Sequence, residues 1–162
     1  PVRGAPDRSE RASLGPGAQA RGLNAERLPL PSDATRQNSS SGTRIEPLVG
    51  ESRAVRVARV VHGPGTTATD GSGKLVGIGD PAAQTRQALT NVRSALEGAG
   101  ARLEDVVRTR IYVTDISRWE AFGRVHGEFF ADILPTTSMV EVRALIDPDM
   151  LVAIEAEAIM TD

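Results

Sequence analysis

The sequence contains no cysteine and only two histidines, His62 and His126. Without thiols the chain has no disulfides, no thiolate nucleophile and no cysteine ligands for zinc or iron–sulfur clusters. The two histidines lie far apart in the sequence and fit no metal-ligand spacing. We therefore expect neither a metal site nor a bound cofactor.

Aromatic residues and lysines are also scarce, with aromatics at 3% and Lys74 as the single lysine. The formal net charge is −2, from 19 basic and 21 acidic residues. A nucleic-acid-binding protein needs a basic surface or aromatic rings on which bases can stack. We expect no nucleic-acid partner, and a ribonuclease activity is disfavoured for the same reasons.

Long apolar runs are missing as well, and none approaches the roughly 18 residues of a membrane-spanning helix. The chain also opens without the basic residues and apolar segment of a secretory signal. We therefore expect a cytoplasmic protein with no membrane partner.

The first quarter of the chain differs in composition from the rest. Residues 1–42 are rich in Gly, Pro, Ala, Ser and Arg and end in the linker-like run Asn38-Ser39-Ser40-Ser41-Gly42. Such a segment cannot bury enough apolar surface to offset its ordering entropy. The composition predicts a disordered extension over residues 1–42, or an arm that orders against a partner, and one folded domain over residues 43–162.

Two helices with apolar stripes are predicted in this domain. Asp80 is placed to cap the first helix, Pro81 suits its first position, and Gly98 or Gly100 ends it. Its stripe consists of Thr85, Leu89, Val92, Leu96 and Ala99. The second helix follows Asp115, with a stripe of Trp119, Phe122, His126 and Phe129. We expect the aromatic rings of this stripe to be core residues and His126 to be packed and hydrogen-bonded.

Period-two alternation predicts the strands, most clearly over residues 135–160. These residues indicate two strands joined by a short turn at Asp147-Pro148-Asp149. The predicted buried positions are Val140, Val142 and Ala144 in the first strand and Val152, Ile154, Ala156, Ala158 and Met160 in the second. Glu155 and Glu157 share the opposite side of the last strand, which is either a solvated face or a polar pocket or subunit contact.

A further strand alternates Arg108, Arg110 and Tyr112 with apolar residues. These arginines could bind an anion or pair with Glu141, Glu155 or Glu157, and we favour the pairing. The element order of strands, helix, strand, helix and two strands predicts an α+β architecture, with two helices covering one face of a mixed sheet.

Several sequence blocks, in this order and at these separations, resemble the RidA (YjgF/YER057c/UK114) family. They are Gly65-Thr66-Thr67, QTRQALTN at residues 84–91, DVVRT at 105–109, PTTSMVEV at 135–142 and LVAIEA at 151–156. The resemblance covers roughly residues 52–160. It implies the chorismate-mutase-like fold and a homotrimer with three clefts between subunits. It also implies a cofactor-free activity, the hydrolysis of enamines and imines derived from amino acids to keto acids and ammonia.

The same resemblance implies four pocket positions. Family members use an Arg for the substrate carboxylate, a Glu on the last strand for water, a Tyr near the first strand and a Ser before a glycine. The matching positions here are Thr137, Ala153, Glu51 and Pro64, with Gly65 as the glycine. We take these five residues as pocket candidates and assign no catalytic residue.

Three further residues are secondary candidates, because they could replace the missing groups. Arg53 or Arg143 could supply a guanidinium, and Glu155 could supply a carboxylate. His62 could act as an acid or base beside the glycines, although an exposed loop histidine is the simpler interpretation.

The sequence therefore predicts a divergent homotrimer whose clefts bind or transform an unidentified small molecule, and not a standard imine deaminase. One alternative is a deaminase of the 2-iminobutanoate/2-iminopropanoate type that uses substitute residues. Another is a non-enzymatic ligand-binding or scaffold trimer.

Overall fold

The computed structural model describes residues 35–161, which form one mixed six-stranded sheet with helices packed on it. The strands are β1 (Arg36–Ser39), β2 (Ala54–Val57), β3 (Val60–His62), β4 (Val106–Val113), β5 (Thr136–Glu141) and β6 (Val152–Ile159). The helices are α1 (Ile45–Val49), α2 (Pro81–Gly98) and α3 (Trp119–Phe130), with 3-10 turns at Leu103–Asp105 and Ile116–Arg118. This arrangement confirms the predicted α+β fold class.

The strand order in the sheet is β1-β2-β3-β6-β4-β5. All neighbouring strands are antiparallel except β4 and β5, which run parallel. β6 therefore lies in the interior of the sheet, where it pairs with β3 and β4. This position explains why its residues from Val152 to Ala158 are buried or half-buried.

The two faces of the sheet are chemically different. Thr109, Ile111 and Val113 of β4 and Val152, Ile154 and Ala156 of β6 are buried in the core shared with α2 and α3. The residues between them project to the other side, because successive side chains of a strand alternate. We call this other side the open face; on β4 and β6 it carries Arg108, Arg110, Tyr112, Ala153, Glu155 and Glu157.

Helix α2 begins and ends as its sequence predicts. The Asp80 carboxylate accepts hydrogen bonds from the amides of Ala82 at 2.9 Å and Ala83 at 3.1 Å, and Pro81 opens the helix. Gly100 has a φ of +85° just after the helix, a conformation that glycine adopts without steric cost.

The prediction of a short turn between the last two strands is wrong. β5 ends at Glu141, and β4 lies between β5 and β6 in the sheet. Residues 142–151 therefore cross from one side of β4 to the other, and the Asp147 turn forms within this connection, where Asp149 N donates to Asp147 Oδ1 at 2.8 Å. Alternation along a chain identifies strands but does not specify which strands become neighbours.

The predicted buried side of β5 is also wrong. Met139 packs against the core, whereas Val140 is 47% exposed and Ala144 lies exposed beyond the end of the strand. The parallel register places Met139 beside Ile111, so both side chains point towards the helices. Val140 pairs with Tyr112 on the open face.

In α3 the core contains Phe122, Val125 and Phe130, with Phe129 half-buried against them. Trp119, predicted to be core, is 57% exposed. Trp119 is the first residue of the helix, and helical side chains point back towards the N-terminus, so its ring projects beyond the packed part of the stripe.

The strand β1 falls inside the segment predicted to be an extension. It pairs antiparallel with β2, from Arg36 opposite Val57 to Ser39 opposite Ala54. An ordered sheet therefore reaches back at least to residue 36, and the prediction for residues 1–34 concerns a part of the chain outside the described residues.

Candidate functional site

A cavity of about 830 Å³ lies between the open face and the chain from Ser41 to Arg53. Its volume is within the usual range for small-molecule sites. Six candidate residues from the sequence analysis lie together in the lining of this cavity: Glu51, Arg53, Pro64, Gly65, Ala153 and Glu155. Residues distant in sequence therefore meet in one place, as a binding site requires.

The floor of the cavity is formed by Ala153 and by the chain at Pro64 and Gly65. Two hydrogen bonds to β6 bracket this irregular segment, from Gly63 N to Ala156 O and from Thr66 N to Ile154 O, both at 2.9 Å. A Cβ placed on Gly65 would lie 3.9 Å from the Ala153 Cβ. The floor is thus made of small side chains and backbone, which leaves the space above it open.

One wall is formed by α1 and the turn before it, which are held by Glu46. This buried carboxylate accepts hydrogen bonds from the hydroxyls of Ser40 and Ser41, both at 2.5 Å, and from Ser41 N at 3.0 Å. These hydrogen bonds lower the pKa of Glu46 to about 2. Glu46 is therefore ionised in the folded protein at neutral pH.

The opposite wall is held in place by Gln84, which is fully buried in α2. Its side-chain amide donates to Asp149 O at 2.8 Å and Gly77 O at 3.2 Å, and its carbonyl oxygen accepts from Leu151 N at 2.8 Å. These bonds fix the connection between β5 and β6, which contributes Leu145, Ile146 and Met150 to the cavity lining.

Arg53 is half-buried at the cavity and stands just before β2. Its backbone amide donates to Ser39 O at 2.8 Å, but its guanidinium forms no hydrogen bond or ion pair within residues 35–161. Burial lowers the pKa of Arg53, while the charges of Glu46 and Glu51 oppose that shift from a distance.

Glu155 belongs to a network of charges on the open face. Arg110 Nη1 lies 3.2 Å from Glu155 Oε2 and 3.0 Å from Glu157 Oε1, and Arg108 is 3.9 Å from Glu157. The expected pairing of the two arginines with these acids is confirmed. Glu141 instead accepts a hydrogen bond from Ile116 N at 2.8 Å.

Tyr112 completes this side of the cavity. Burial raises the pKa of its hydroxyl, and the nearby negative charge of Glu155 raises it further. A neutral phenol therefore stands beside a carboxylate at the cavity edge, so the pair offers one hydrogen-bond donor and one proton acceptor.

Thr137 does not line this cavity. Its hydroxyl lies 2.9 Å from the Thr109 hydroxyl on the helix side of the sheet, and it also contacts Pro135 O at 3.2 Å. Thr109 in turn is 3.0 Å from His126 Nε2. The structure therefore separates Thr137 from Ala153, which faces the opposite side.

The remaining candidates also lie apart from the cavity. Arg143 is exposed in the connection after β5 and is not among the lining residues. His126 is packed against the Phe130 ring at 4.6 Å, and burial lowers its pKa, as expected for a core histidine. His62 is exposed at the end of β3.

Sequence reasoning missed Glu46, Gln84 and Tyr112 as parts of the site. Tyr112 could have been found, because it alternates with the core residues of β4 and shares a face with Arg110. Glu46 gave no such signal, since a five-residue helix has no measurable apolar period.

The described residues were compared with the requirements of a metal site and of a membrane-spanning helix, and they meet neither. No three His, Asp or Glu side chains there are grouped so that they could hold a metal ion. Within residues 35–161, no helix is long and apolar enough to cross a membrane.

Comparison with known proteins places this geometry in context. The family model described as Endoribonuclease L-PSP matches residues 41–160. An uncharacterised Streptomyces coelicolor protein is 36% identical over 129 residues, which cover 80% of this chain and 95% of the relative. The 3-aminoacrylate deaminase RutC of Acinetobacter baylyi is 32% identical over 112 residues, which cover 69% of this chain and 88% of the relative.

Solved structures show the same fold. A Mycobacterium tuberculosis member of the YjgF/YER057c/UK114 family is 54% identical with a TM-score of 0.72, and the match covers 78% of this chain and all of that one. Escherichia coli TdcF, solved with bound serine, is 25% identical with a TM-score of 0.63, and the match covers 68% of this chain and 87% of that one.

Proposed function

The chain belongs to the Endoribonuclease L-PSP family, that of the YjgF/YER057c/UK114 (RidA) proteins, and from this premise we propose that it binds a small molecule in the cavity above Ala153. The observation that carries the proposal is the convergence of Arg53, Glu155 and Tyr112 on one cavity of about 830 Å³. A few polar groups that converge in a largely apolar cavity are typical of small-molecule sites.

Two positions that the family resemblance assigns to the pocket differ from those of a standard imine deaminase, and of the two only Ala153 lines this cavity. Position 137 carries a neutral hydroxyl where relatives keep a guanidinium, and position 153 carries a methyl group where they keep a carboxylate. Thr cannot replace a bidentate guanidinium on a carboxylate. The proposal is therefore a divergent member of the family whose ligand is held by other residues.

The binding proposal can be tested with Ala153→Leu. Ala153 is only 6% exposed and its Cβ borders the cavity, so a leucine there fills the space above the floor. Small acids, their amides and amines would be screened by thermal shift, because a ligand that binds only the folded state raises the melting temperature.

We expect at least one compound to stabilise the wild-type protein and to lose its effect in Ala153→Leu. Ala131→Leu, an exposed position after α3, is the matched control and should behave like wild type. The proposal is wrong if Ala153→Leu responds to every compound as the wild type does.

A second candidate function is hydrolytic deamination with substitute residues, favoured by Glu155. Glu155 stands two residues after Ala153 on the same face of β6, in the cavity and beside Tyr112. The name of the RutC relative, 3-aminoacrylate deaminase, describes the same reaction class.

In this reaction the Glu155 carboxylate would take a proton from water while the water oxygen attacks the imine carbon. The proton then passes to the nitrogen of the tetrahedral intermediate. The remaining hydroxyl proton moves to this nitrogen as the C–N bond breaks, which releases ammonia and leaves a carbonyl group. The Tyr112 hydroxyl can donate a hydrogen bond to the oxygen or nitrogen that carries the developing charge.

The deaminase candidate is tested by ammonia release from 3-aminoacrylate and from 2-aminoacrylate generated in the assay. A wild-type rate above background that falls about tenfold or more in Glu155→Gln supports it. Background rates with a correctly folded and assembled wild-type protein eliminate it and leave a binding or scaffold function.

We also propose that three copies of the chain assemble around the open face. Val57, Val140 and Ile159 are 38%, 47% and 44% exposed, although valine and isoleucine are usually buried. Closed symmetric assembly is a common way to cover such a surface. Light scattering on the eluted protein should give three times the chain mass of 17.1 kDa, and a monomer mass would contradict this.

A further inference from the structure

The short helix α1 turns one apolar side towards the cavity. Ile45 and Val49 both line the cavity, and they share one side of the helix because residues four apart are neighbours. Their exposed fractions are 38% and 59%. Leu48 of the same helix is 82% exposed and does not line the cavity, so α1 forms an apolar wall with one side only.

The connection between β5 and β6 supplies a second apolar wall. Leu145, Ile146 and Met150 line the cavity from this side, and Ile146 is 74% exposed. Apolar side chains that stay in water lose the free energy that burial would give them. An apolar group between the two walls would remove water from both, so the lining favours a ligand that has one.

The ionisable side chains of the lining nearly cancel in charge. Arg44 and Arg53 carry two formal positive charges, and Glu46, Glu51 and Glu155 carry three formal negative charges. An ion of either sign in this cavity meets charges of its own sign as well as opposite ones, and it also loses its water. The lining therefore does not favour a charged ligand.

Two of the three carboxylates are already engaged by the protein. Glu46 accepts hydrogen bonds from the hydroxyls of Ser40 and Ser41, both at 2.5 Å, and Glu155 Oε2 lies 3.2 Å from Arg110 Nη1. The remaining charged groups of the lining have both signs, so they offer donors and acceptors together. A neutral carboxamide, which both donates and accepts hydrogen bonds, matches such a mixture.

We infer that the cavity takes a neutral molecule with an apolar chain or ring between the two walls and a head, such as a carboxamide, that donates and accepts hydrogen bonds. This inference rests on the proposed binding function and deepens it by naming the class of ligand. The cavity volume of about 830 Å³ lies towards the upper end of the usual range, which leaves room for the apolar part. This class differs from the small carboxylate-bearing imines that the family resemblance implies.

The test measures by calorimetry the affinities of four primary amides of increasing length: propanamide, butanamide, pentanamide and hexanamide. We expect the affinity to rise about threefold with each added methylene, because each one buries further apolar surface. Hexanoate and hexylamine have chains of similar length with opposite charges. Each should bind about tenfold or more weakly than hexanamide, because each brings an ion next to a like charge.

Two variants examine the walls separately. Val49→Ser and Ile146→Ser each remove apolar surface from one wall, and each should lower the affinity for hexanamide about fivefold and that for propanamide much less. Leu48→Ser is the matched control, because it makes the same kind of change on α1 outside the cavity lining. It should leave every affinity unchanged. All three side chains are exposed, and melting curves check that each variant is folded.

The outcomes separate this inference from the proposed function. If the affinity does not rise with chain length, or if Leu48→Ser weakens hexanamide binding as much as Val49→Ser does, the apolar walls do not hold the ligand and the inference is wrong. Hexanoate or hexylamine binding as tightly as hexanamide overturns the choice of a neutral ligand.

A second copy of the chain is the competing occupant of the two walls. If Val49→Ser and Ile146→Ser lower the mass measured by light scattering and leave the hexanamide affinity unchanged, the walls are a contact between chains and the inference is wrong. It is also wrong if no amide binds. The proposed binding function falls with it only if the thermal-shift screen also finds no compound whose effect is lost in Ala153→Leu.

Discussion

The Thr137 hydroxyl lies 2.9 Å from the Thr109 hydroxyl, on the helix-covered side of the sheet. Ala153 faces the open side, so the two positions that the resemblance aligns with the family's guanidinium and carboxylate are separated by the sheet within one chain. A ligand above Ala153 cannot touch Thr137 of the same chain. Any cleft that contains both positions must be formed between two chains.

Thr137→Val should lower the stability of the fold modestly. The substitution keeps the shape of the side chain but removes its hydrogen bond to Thr109, which is worth about 1 kcal/mol. Urea unfolding at neutral pH measures the loss. Ser138→Ala, an exposed position next in the strand, should change the free energy of unfolding by less than about 0.5 kcal/mol. Equal effects of the two substitutions would mean that the Thr109 contact contributes nothing.

Protonation of His126 should destabilise the protein below neutral pH. Burial lowers the pKa of His126 from its ordinary value of 6.5, so the folded state binds this proton less readily than the unfolded chain. Its contribution to stability is complete above about pH 6.5 and is lost as the pH falls through the folded pKa.

This effect is measured by urea unfolding from about pH 7.5 down to about pH 5. The wild type should lose more stability over this interval than His126→Gln does. Proton NMR of the imidazole gives the pKa directly, and a titration at or above 6.5 would contradict the expectation.

Glu46→Gln should weaken the wall of the cavity. The substitution replaces a charged acceptor of the Ser40 and Ser41 hydroxyls with a neutral one, at a cost of about 2 kcal/mol near pH 7. The folded pKa of about 2 lies below the ordinary 4.5, so the charged form stabilises the fold above about pH 4.5 and this stability is lost as the pH falls towards 2.

The stability difference between wild type and Glu46→Gln should therefore shrink between pH 4.5 and 2. Chemical unfolding across this range measures it. Glu104→Gln, an exposed acid in the Leu103–Asp105 turn, is the control and should cost less than about 0.5 kcal/mol near pH 7. If the difference in the free energy of unfolding between wild type and Glu46→Gln stays constant with pH, the charge of the Glu46 carboxylate does not stabilise α1 and the turn before it.

Gln84→Leu should be strongly destabilising although leucine is the more apolar residue. It would leave Asp149 O, Gly77 O and Leu151 N without their buried partner, which costs about 3 kcal/mol or more in total. Gln87→Leu on the same helix removes only a bond to the Asn91 side chain and should cost much less.

Urea unfolding of the two glutamine variants provides the comparison. Because Gln84 fixes the connection that forms one wall, ligand-induced stabilisation should also weaken in Gln84→Leu and persist in Gln87→Leu. Similar stabilities for both variants would show that the connection is held by other contacts.

The sequence alone determined the elements with strong local signals. Asp80 and Pro81 begin α2, Gly100 follows its end, and alternation in β6 assigns its buried side correctly. The blocks around Thr137 and Ala153 also identified the family. These features depend on residues within a few positions of one another, so the chain encodes them directly.

Only the tertiary structure decided how these elements combine. The position of β4 between β5 and β6 put Met139 rather than Val140 in the core and separated Thr137 from Ala153. Arg53 and Ala153 line the same cavity although they are about a hundred residues apart in the chain, and this depends on pairing across the whole sheet. Local periodicity does not specify such pairings, because their energy comes from packing between segments that are distant in sequence.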